Sequence, residues 1–397
     1  MRCRIAKDKC KIFLNLGQMP LANGFLKKNQ IKYEYFYPLK VAYSKKLSLV
    51  QLVKNPKPSK MFNNSYPFYT SSSKFMINHF NKFANWVKKK SKKKFSILEI
   101  GSNDGTFLKN FKNYLHYGYE PSQSVHKISK RNGINSINKF FDAKNLKDLI
   151  NKKYKFDFII GSNVFCHIPD QVGLIKTINK ILADDGSLIF EEPYLGAMYK
   201  KISYDQLYDE HIFMFSATSI KKIYESFNFQ LVDAIPQKTH GGSMRYVIKK
   251  YNNKNKITKR LFKILKYERS NNINSLKGCL NFAEQVKISK VKLINKIKRI
   301  KSRNHKICGY GATSKSTTIL NYCKINSKNI DCIFDTTKDK IGKLTPGTHI
   351  PIVDYKFFKN SEYKHVFLFA WNHKKEIFNK EKNNKNKNIK WFNHLQL

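Results

Sequence analysis

The segment Ile97-Leu98-Glu99-Ile100-Gly101-Ser102-Asn103-Asp104-Gly105 constrains this chain more than any other. A short apolar run carrying an acid meets a glycine turn, and the following residues, Phe107–Tyr114, read as a helix. A strand that feeds a glycine loop and then a helix is the first unit of a doubly wound sheet. Its glycines let backbone approach a flat, charged small molecule where side chains would block it. The spacing is not G-x-G-x-x-G, and no Lys-Ser/Thr follows, so neither a nicotinamide fingerprint nor a phosphate loop is present. Taken alone, the turn is also compatible with a plain strand-to-helix connection.

The surrounding pattern decides the class. From Ser73 to about Lys250, short apolar runs alternate with helical stretches. The strands are expected at Ser96–Ile100, His116–Glu120, Asn135–Ile137, Phe156–Gly161, Ser187–Glu191, Phe229–Ala234 and Met244–Lys249. The stretches Ser122–Asn132 and Gln171–Leu182 lie between them as helices. That rhythm builds a parallel sheet with helices on both faces, closed by a hairpin-like final pair. Residues before it lack helical periodicity and carry turn signals such as Asn55-Pro56-Lys57-Pro58. After it, Phe282, Val286, Leu293, Ile297 and Ile300 recur at helical spacing in a basic connector. The strand rhythm then resumes at Lys306–Tyr310, Asp331–Asp335 and Val366–Ala370. The expected architecture is α/β in three parts: a strand-and-loop domain over 1–72, a Rossmann-like domain over 73–252, and a helical connector with a second, smaller Rossmann-like domain over 253–397.

Composition narrows the partners. The formal net charge of +49 would attract nucleic acid or an anionic membrane non-specifically. The lysines, however, are spread through every region, and only Lys88–Lys94 and Lys374–Lys390 are concentrated. A chain-wide compositional bias explains this better than a binding face, so no specific nucleic-acid partner is expected. No apolar run reaches membrane-spanning length, and the first residues lack a signal-peptide core. Seven cysteines at irregular spacing give no disulfide framework. A cytoplasmic enzyme fits, with its oligomeric state, monomer or dimer, left open.

Candidate ligand-binding residues fall on successive strand ends. Glu99, Gly101, Asn103, Asp104 and Gly105 form the first loop. Asp104 suits either an ammonium group or a helix cap. Glu120 ends the second strand, where an acid can accept both hydroxyls of a ribose. Asp142 follows Phe140-Phe141, where an adenine contact is expected, and Asn163 ends the fourth strand at the same edge. The set resembles the S-adenosylmethionine site of class I methyltransferases.

A second resemblance is more specific. Tyr204-Asp205-Gln206-Leu207-Tyr208-Asp209-Glu210-His211 follows Phe190-Glu191-Glu192-Pro193-Tyr194-Leu195. Further stretches are Leu16–Asn23, Leu49–Leu52, Asn163–Asp170, Gly241–Arg245, Gly309–Lys315, Thr345–Ile352 and Ala370–Asn372. In this order they resemble the nucleotide-sugar C-methyltransferase family over nearly the whole chain. The resemblance implies transfer of a methyl group from S-adenosylmethionine to a carbon beside a keto group of a nucleotide-linked deoxysugar. It implies His211 as the base that removes the carbon's proton, with Glu210 and Tyr208 orienting it or touching the sugar. A tyrosine hydroxyl or His167 would steady the enolate oxygen. It further implies Tyr66 and Tyr69 over the sugar, and Arg245 and Lys315 as substrate contacts.

The chain also departs from that family. Zinc ligand positions of the N-terminal domain hold Ala6, Ser44 and Leu47. Cys3 alone remains, and Cys10 lies at the wrong spacing, so no metal is expected. Asp209 replaces the first histidine of the Tyr-His-Glu-His motif, and Ser316 stands where glycine is favoured. Two other functions are compatible with these residues: methylation of another small acceptor, and a basic RNA-binding methyltransferase-like protein.

Overall fold

The computed structural model describes residues 1–57, 69–91, 93–382 and 388–396. Its first three strands, β1 (Cys10–Pro20), β2 (Phe36–Ser44) and β3 (Leu49–Leu52), form an antiparallel meander. The next strands are β4 (Ser96–Ile100), β5 (Leu115–Tyr119), β6 (Ser136–Ile137), β7 (Phe156–Ser162) and β8 (Leu182–Pro193). Strand β9 (Phe213–Met214) leaves this region and pairs with β3, extending the first sheet to the order β1-β2-β3-β9. Strands β10 (Phe229–Gln237) and β11 (Ser243–Lys250) complete the central sheet in the order β10-β11-β8-β7-β4-β5-β6. Strand β11 is antiparallel to both of its neighbours, and the rest of that sheet is parallel. Strands β12 (Ile307–Tyr310), β13 (Ile333–Asp335), β14 (Ile352–Asp354), β15 (His365–Leu368) and β16 (Lys390–Phe392) make a parallel third sheet, β14-β13-β12-β15-β16.

The architecture is the Rossmann-like α/β fold with added N- and C-terminal sheets. All five residues of β4 are buried because both faces are covered, which is why its apolar residues do not alternate with exposed polar ones. The chain runs from β4 out to β6, then returns to β7 on the other side of β4. That reversal opens a crevice at the carboxyl edge, the usual ligand position in such sheets. Register brings the strand ends level there: Ile100 lies opposite Tyr119 of β5 and Gly161 of β7.

The expected helix at Phe107–Tyr114 is the main local correction, for only a 3-10 turn over Leu108–Phe111 forms. Phe107, Leu108 and Phe111 are all buried, and the Phe107 and Phe111 rings stand 5.1 Å apart. Phe107 also meets Phe83 of the helix Lys74–Lys88. The segment presents its aromatic rings inward and reaches β5 within a few residues.

The connector behaves as its periodicity predicts. Helix Leu276–Lys301 buries Phe282, Val286, Leu293, Ile297 and Ile300 on one stripe and leaves its lysines outside. A further helix, Ser314–Cys323, ties the third sheet to the other two regions. The Thr317 hydroxyl donates to the Ala22 carbonyl at 2.8 Å, and the Thr318 hydroxyl to Leu207 at 2.9 Å. Among the described residues, no helix is long and apolar enough to cross a membrane.

Candidate active site

A cavity of about 650 Å³ opens at the carboxyl edge of the central sheet and extends to the N-terminal and C-terminal regions. On the sheet side it is lined by Glu99, Gly101, Asn103, Glu120, Asp142 and Asn163. Gly101 has φ +68°, and a Cβ there would lie 2.9 Å from Val164 Cγ2. The glycine is needed both for the left-handed turn and for close approach to the β7 loop.

The Glu120 carboxylate is held from behind. Its oxygens accept from the Asn103 amide at 3.0 Å and the Ser122 amide at 2.7 Å, leaving lone pairs toward the cavity. Burial raises its pKa, opposed by these backbone donors. Glu99 is also buried, and its Oε2 has no hydrogen-bond partner among the described residues. Burial, then the charges of Asp104 and Glu120, push its pKa well up. An unpartnered carboxyl oxygen beside a diol-accepting carboxylate fits the ammonium and ribose ends of S-adenosylmethionine. Asn163, at φ +54°, donates from Nδ2 to His240 Nε2 at 3.0 Å. Asp142 stands at the rim with both oxygens engaged by Asn145.

The opposite wall carries His167, Tyr208, Glu210, His211 and Lys315. His211 is 6 % exposed, and its protons can be placed from its partners. Nδ1 lies 2.8 Å from the Gln206 carbonyl, which can only accept, so Nδ1 carries the hydrogen. Nε2 lies 2.8 Å from the Tyr208 hydroxyl and accepts from it. Burial, then the neighbouring His167, lowers the His211 pKa well below the usual imidazole value. The ring is therefore neutral, with its one lone pair, on Nε2, taken up by the Tyr208 hydroxyl. Burial also lowers His167, to about 3.

Glu210 Oε1 accepts from Asn23 Nδ2 at 2.7 Å, and Asn23 Oδ1 in turn accepts from the Ser314 hydroxyl at 3.0 Å. One chain of hydrogen bonds thus links all three regions of the protein. Asp209 points away from the base and accepts from the Ala22 amide at 3.1 Å. Burial raises the pKa of both adjacent carboxyls. Lys315 is buried at the cavity wall, with its ammonium 4.6 Å from the Trp371 ring centroid and no hydrogen-bond partner among the described residues. Burial brings its pKa down to about 8, against the pull of Asp205.

Several expected site residues lie elsewhere. Arg245 is not in the cavity wall: its guanidinium grips Glu191 at 2.6 Å and covers the Phe83 ring at 3.7 Å. Glu191 also bonds His79 at 2.6 Å. Asp104 lies beneath the loop, with its oxygens taken by Thr106 and the Ser71 amide, so it braces rather than faces the cavity. Gly105 is outside the lining too, and a Cβ there would strike Ile134 Cγ1 at 2.6 Å. The Tyr69 carbonyl caps the turn Thr70–Ser72; Tyr69 itself is not in the cavity lining, although its neighbour Thr70 is. Tyr66 lies outside the described residues.

Other cavity residues were not anticipated: Asn23, Ser314, Lys340, His240 and His373. Glu192, behind the wall, was also missed: it accepts from the Val164 and Phe165 amides at 3.0 and 2.7 Å and fixes the turn that carries His167. No local pattern marks such residues, because their partners are far away in sequence.

Three family models match consecutive parts of the chain: a "Putative zinc binding domain" over residues 3–62, a methyltransferase domain over 72–234, and a C-methyltransferase C-terminal domain over 238–395. The chain is 25 % identical to C-methyltransferase NovU of Streptomyces niveus over 388 residues, which is 94 % of this chain and 92 % of that protein. Over most of its length the chain is therefore similar to C-methyltransferases. It is an S-adenosylmethionine-dependent enzyme. Among solved structures, the magnesium protoporphyrin IX methyltransferase of Synechocystis PCC 6803 with bound SAM matches 44 % of this chain and 79 % of its own. The identity is 14 % and the TM-score 0.33. The PH0226 protein of Pyrococcus horikoshii matches 46 % of this chain and 95 % of its own, at 14 % identity and TM-score 0.37.

The match at residues 3–62 does not extend to the donor set of a zinc site. Cys3 and Cys10 are buried near each other, but the Ser44 hydroxyl donates to both oxygens of Asp8, and Leu47 is packed in the core. Two thiols fall short of a closed tetrahedral shell.

Proposed function

We propose that this C-methyltransferase acts on a nucleotide-linked keto-deoxysugar. The observation that carries the reading is the pairing, in one wall, of a neutral His211 with a Lys315 ammonium that has no hydrogen-bond partner among the described residues. The base suits a carbon acid, and the buried cation suits the anionic diphosphate of a sugar nucleotide. Lys340, Ser314 and His373 line the same end of the cavity and add polar contacts for that anion.

Carbon becomes a nucleophile only when its proton leaves, and a neighbouring ketone makes that possible by spreading charge onto oxygen. In this reading His211 Nε2 takes the proton. To free the Nε2 lone pair, the Tyr208 hydroxyl first turns from Nε2 to the ketone oxygen, so one donor serves the base at rest and the enolate oxygen as it forms. Glu210, held by Asn23, contacts a sugar hydroxyl; His167, kept neutral by burial, adds a second polar edge. Glu99, Asn103, Glu120, Asp142 and Asn163 hold the donor, which supplies an electrophilic methyl group when bound. The remaining contribution is alignment of carbon and methyl group in the enclosed cavity.

Incubation with labelled donor and a panel of nucleotide-linked keto-deoxysugars tests the reading. The expected result is label in a carbon–methyl bond beside the ketone of at least one sugar, at rates that survive moderate salt. Label only in a non-sugar acceptor, or in RNA with activity that collapses as salt rises, would contradict it.

A further inference from the structure

Cys166 takes no part in the chemistry above, yet it adjoins it. It lies in the 3-10 turn Phe165–His167 that follows β7 and is 1 % exposed. One ligand atom from each of Cys166, His167 and His211 falls within 4.8 Å of the other two. The two imidazole rings lie nearly parallel, 19° apart, with centroids separated by 5.3 Å. Backbone pairing fixes this arrangement, because the Ile212 amide donates to the Cys166 carbonyl at 3.0 Å. That bond fastens the His211 segment beside the Cys166–His167 turn.

The surroundings resemble those of a metal ligand set. His211 Nδ1–H donates to the Gln206 carbonyl, the kind of outer hydrogen bond that fixes a ring with its other nitrogen free to coordinate. A thiol and two imidazoles suit zinc and similar ions better than magnesium or calcium. The buried carboxyls of Glu192 and Glu210 lie close to the Cys166 thiol.

We propose that Cys166, His167 and His211 form an inhibitory site for a divalent cation of the zinc class. On binding, the Cys166 S–H bond breaks and its proton passes to solvent. The thiolate and one nitrogen of each imidazole then bond to the cation, and the Tyr208 O–H···Nε2 bond is lost. No electron is transferred. With its lone pair engaged, His211 accepts no proton from substrate, so methyl transfer stops while the donor wall stays open. Occupancy follows from the cluster alone; the inhibition rests on His211 being the base.

Cobalt(II) is the probe for occupancy and zinc for inhibition, both with the full chain. A Cys10→Ser background keeps the Cys3–Cys10 thiol pair from contributing. The expected result is a thiolate-to-cobalt absorption band in this background that Cys166→Ala removes. Zinc inhibition should then require at least about tenfold more zinc in Cys166→Ala, with equal transfer rates in metal-free buffer. If Cys166→Ala does not fold, Cys166→Ser preserves the volume and removes the thiolate band. An unchanged band on either substitution would overturn the site. A band that depends on Cys166, without any effect of zinc on transfer, would overturn the inhibition and count against His211 as the base.

Discussion

The two walls of the cavity are built in opposite ways. The sheet-side wall, the proposed donor wall, is nearly local: Glu99, Gly101 and Asn103 lie within five residues at the end of β4, and Glu120 and Asn163 follow the two strands that flank it in parallel register. Its Glu120 carboxylate is held by nearby backbone amides. The acceptor wall is assembled from three regions, with Asn23, Tyr208–His211 and Ser314–Lys315 meeting around buried charge. The first wall depends on the sheet and tolerates change elsewhere. The second exists only when all three sheets are docked, so its chemistry is coupled to the packing of the whole chain.

That contrast can be broken most sharply at the base. His211→Ala should lower methyl transfer by about a thousandfold, within the range for loss of a positioned base, while donor affinity changes by less than about twofold. A parallel loss of donor binding, measured by calorimetry, would mean that the walls are not separable. Arg245 tests the same boundary from behind. Removing its guanidinium leaves the buried Glu191 with His79 alone, so Arg245→Met should destabilise the fold by about 3 kcal/mol in denaturant unfolding. The acceptor KM of the folded fraction should be unchanged, because Arg245 lies outside the cavity lining.

Lys315 gives a smaller, pH-dependent effect. Its folded pKa of about 8 means that the ammonium is present below that pH and lost as pH rises through it. KM for an anionic acceptor should therefore rise above about pH 8. Lys315→Met should raise KM about tenfold or more at neutral pH and abolish that alkaline limb. Smallest of these, Glu120→Gln keeps the shape and one acceptor oxygen. It should weaken donor binding by about tenfold with little effect on acceptor KM.

The same contrast explains what was legible in the sequence. The alternation of strands and helices announced the sheet, and its strand ends announced Glu99, Glu120 and Asn163, because register and edge position follow from local pattern. Phe107–Tyr114 misled, since its apolar spacing suits a helix while its rings pack more fully as a short turn. Asp104 and Gly105 belonged to the right loop, but they brace it from beneath. On the acceptor side, Tyr208, Glu210, His211 and Lys315 were reached through resemblance to a family, not through physical pattern. Arg245 came the same way and proved to be a packed ion pair. Asn23 and Glu192 lie in family-like stretches, but their individual roles were not legible there, because they arise from partners 187 and 28 residues away.

The central claim is that neutral His211, hydrogen-bonded by Tyr208, removes a proton from carbon before the methyl group moves. Solvent deuterium exchange into the carbon beside the ketone tests it directly, with a nucleotide-linked keto-deoxysugar and the demethylated donor product in place of the donor. Wild-type enzyme should exchange that position with deuterium, and folded His211→Ala should not exceed the enzyme-free rate. Undiminished exchange in His211→Ala would contradict the account.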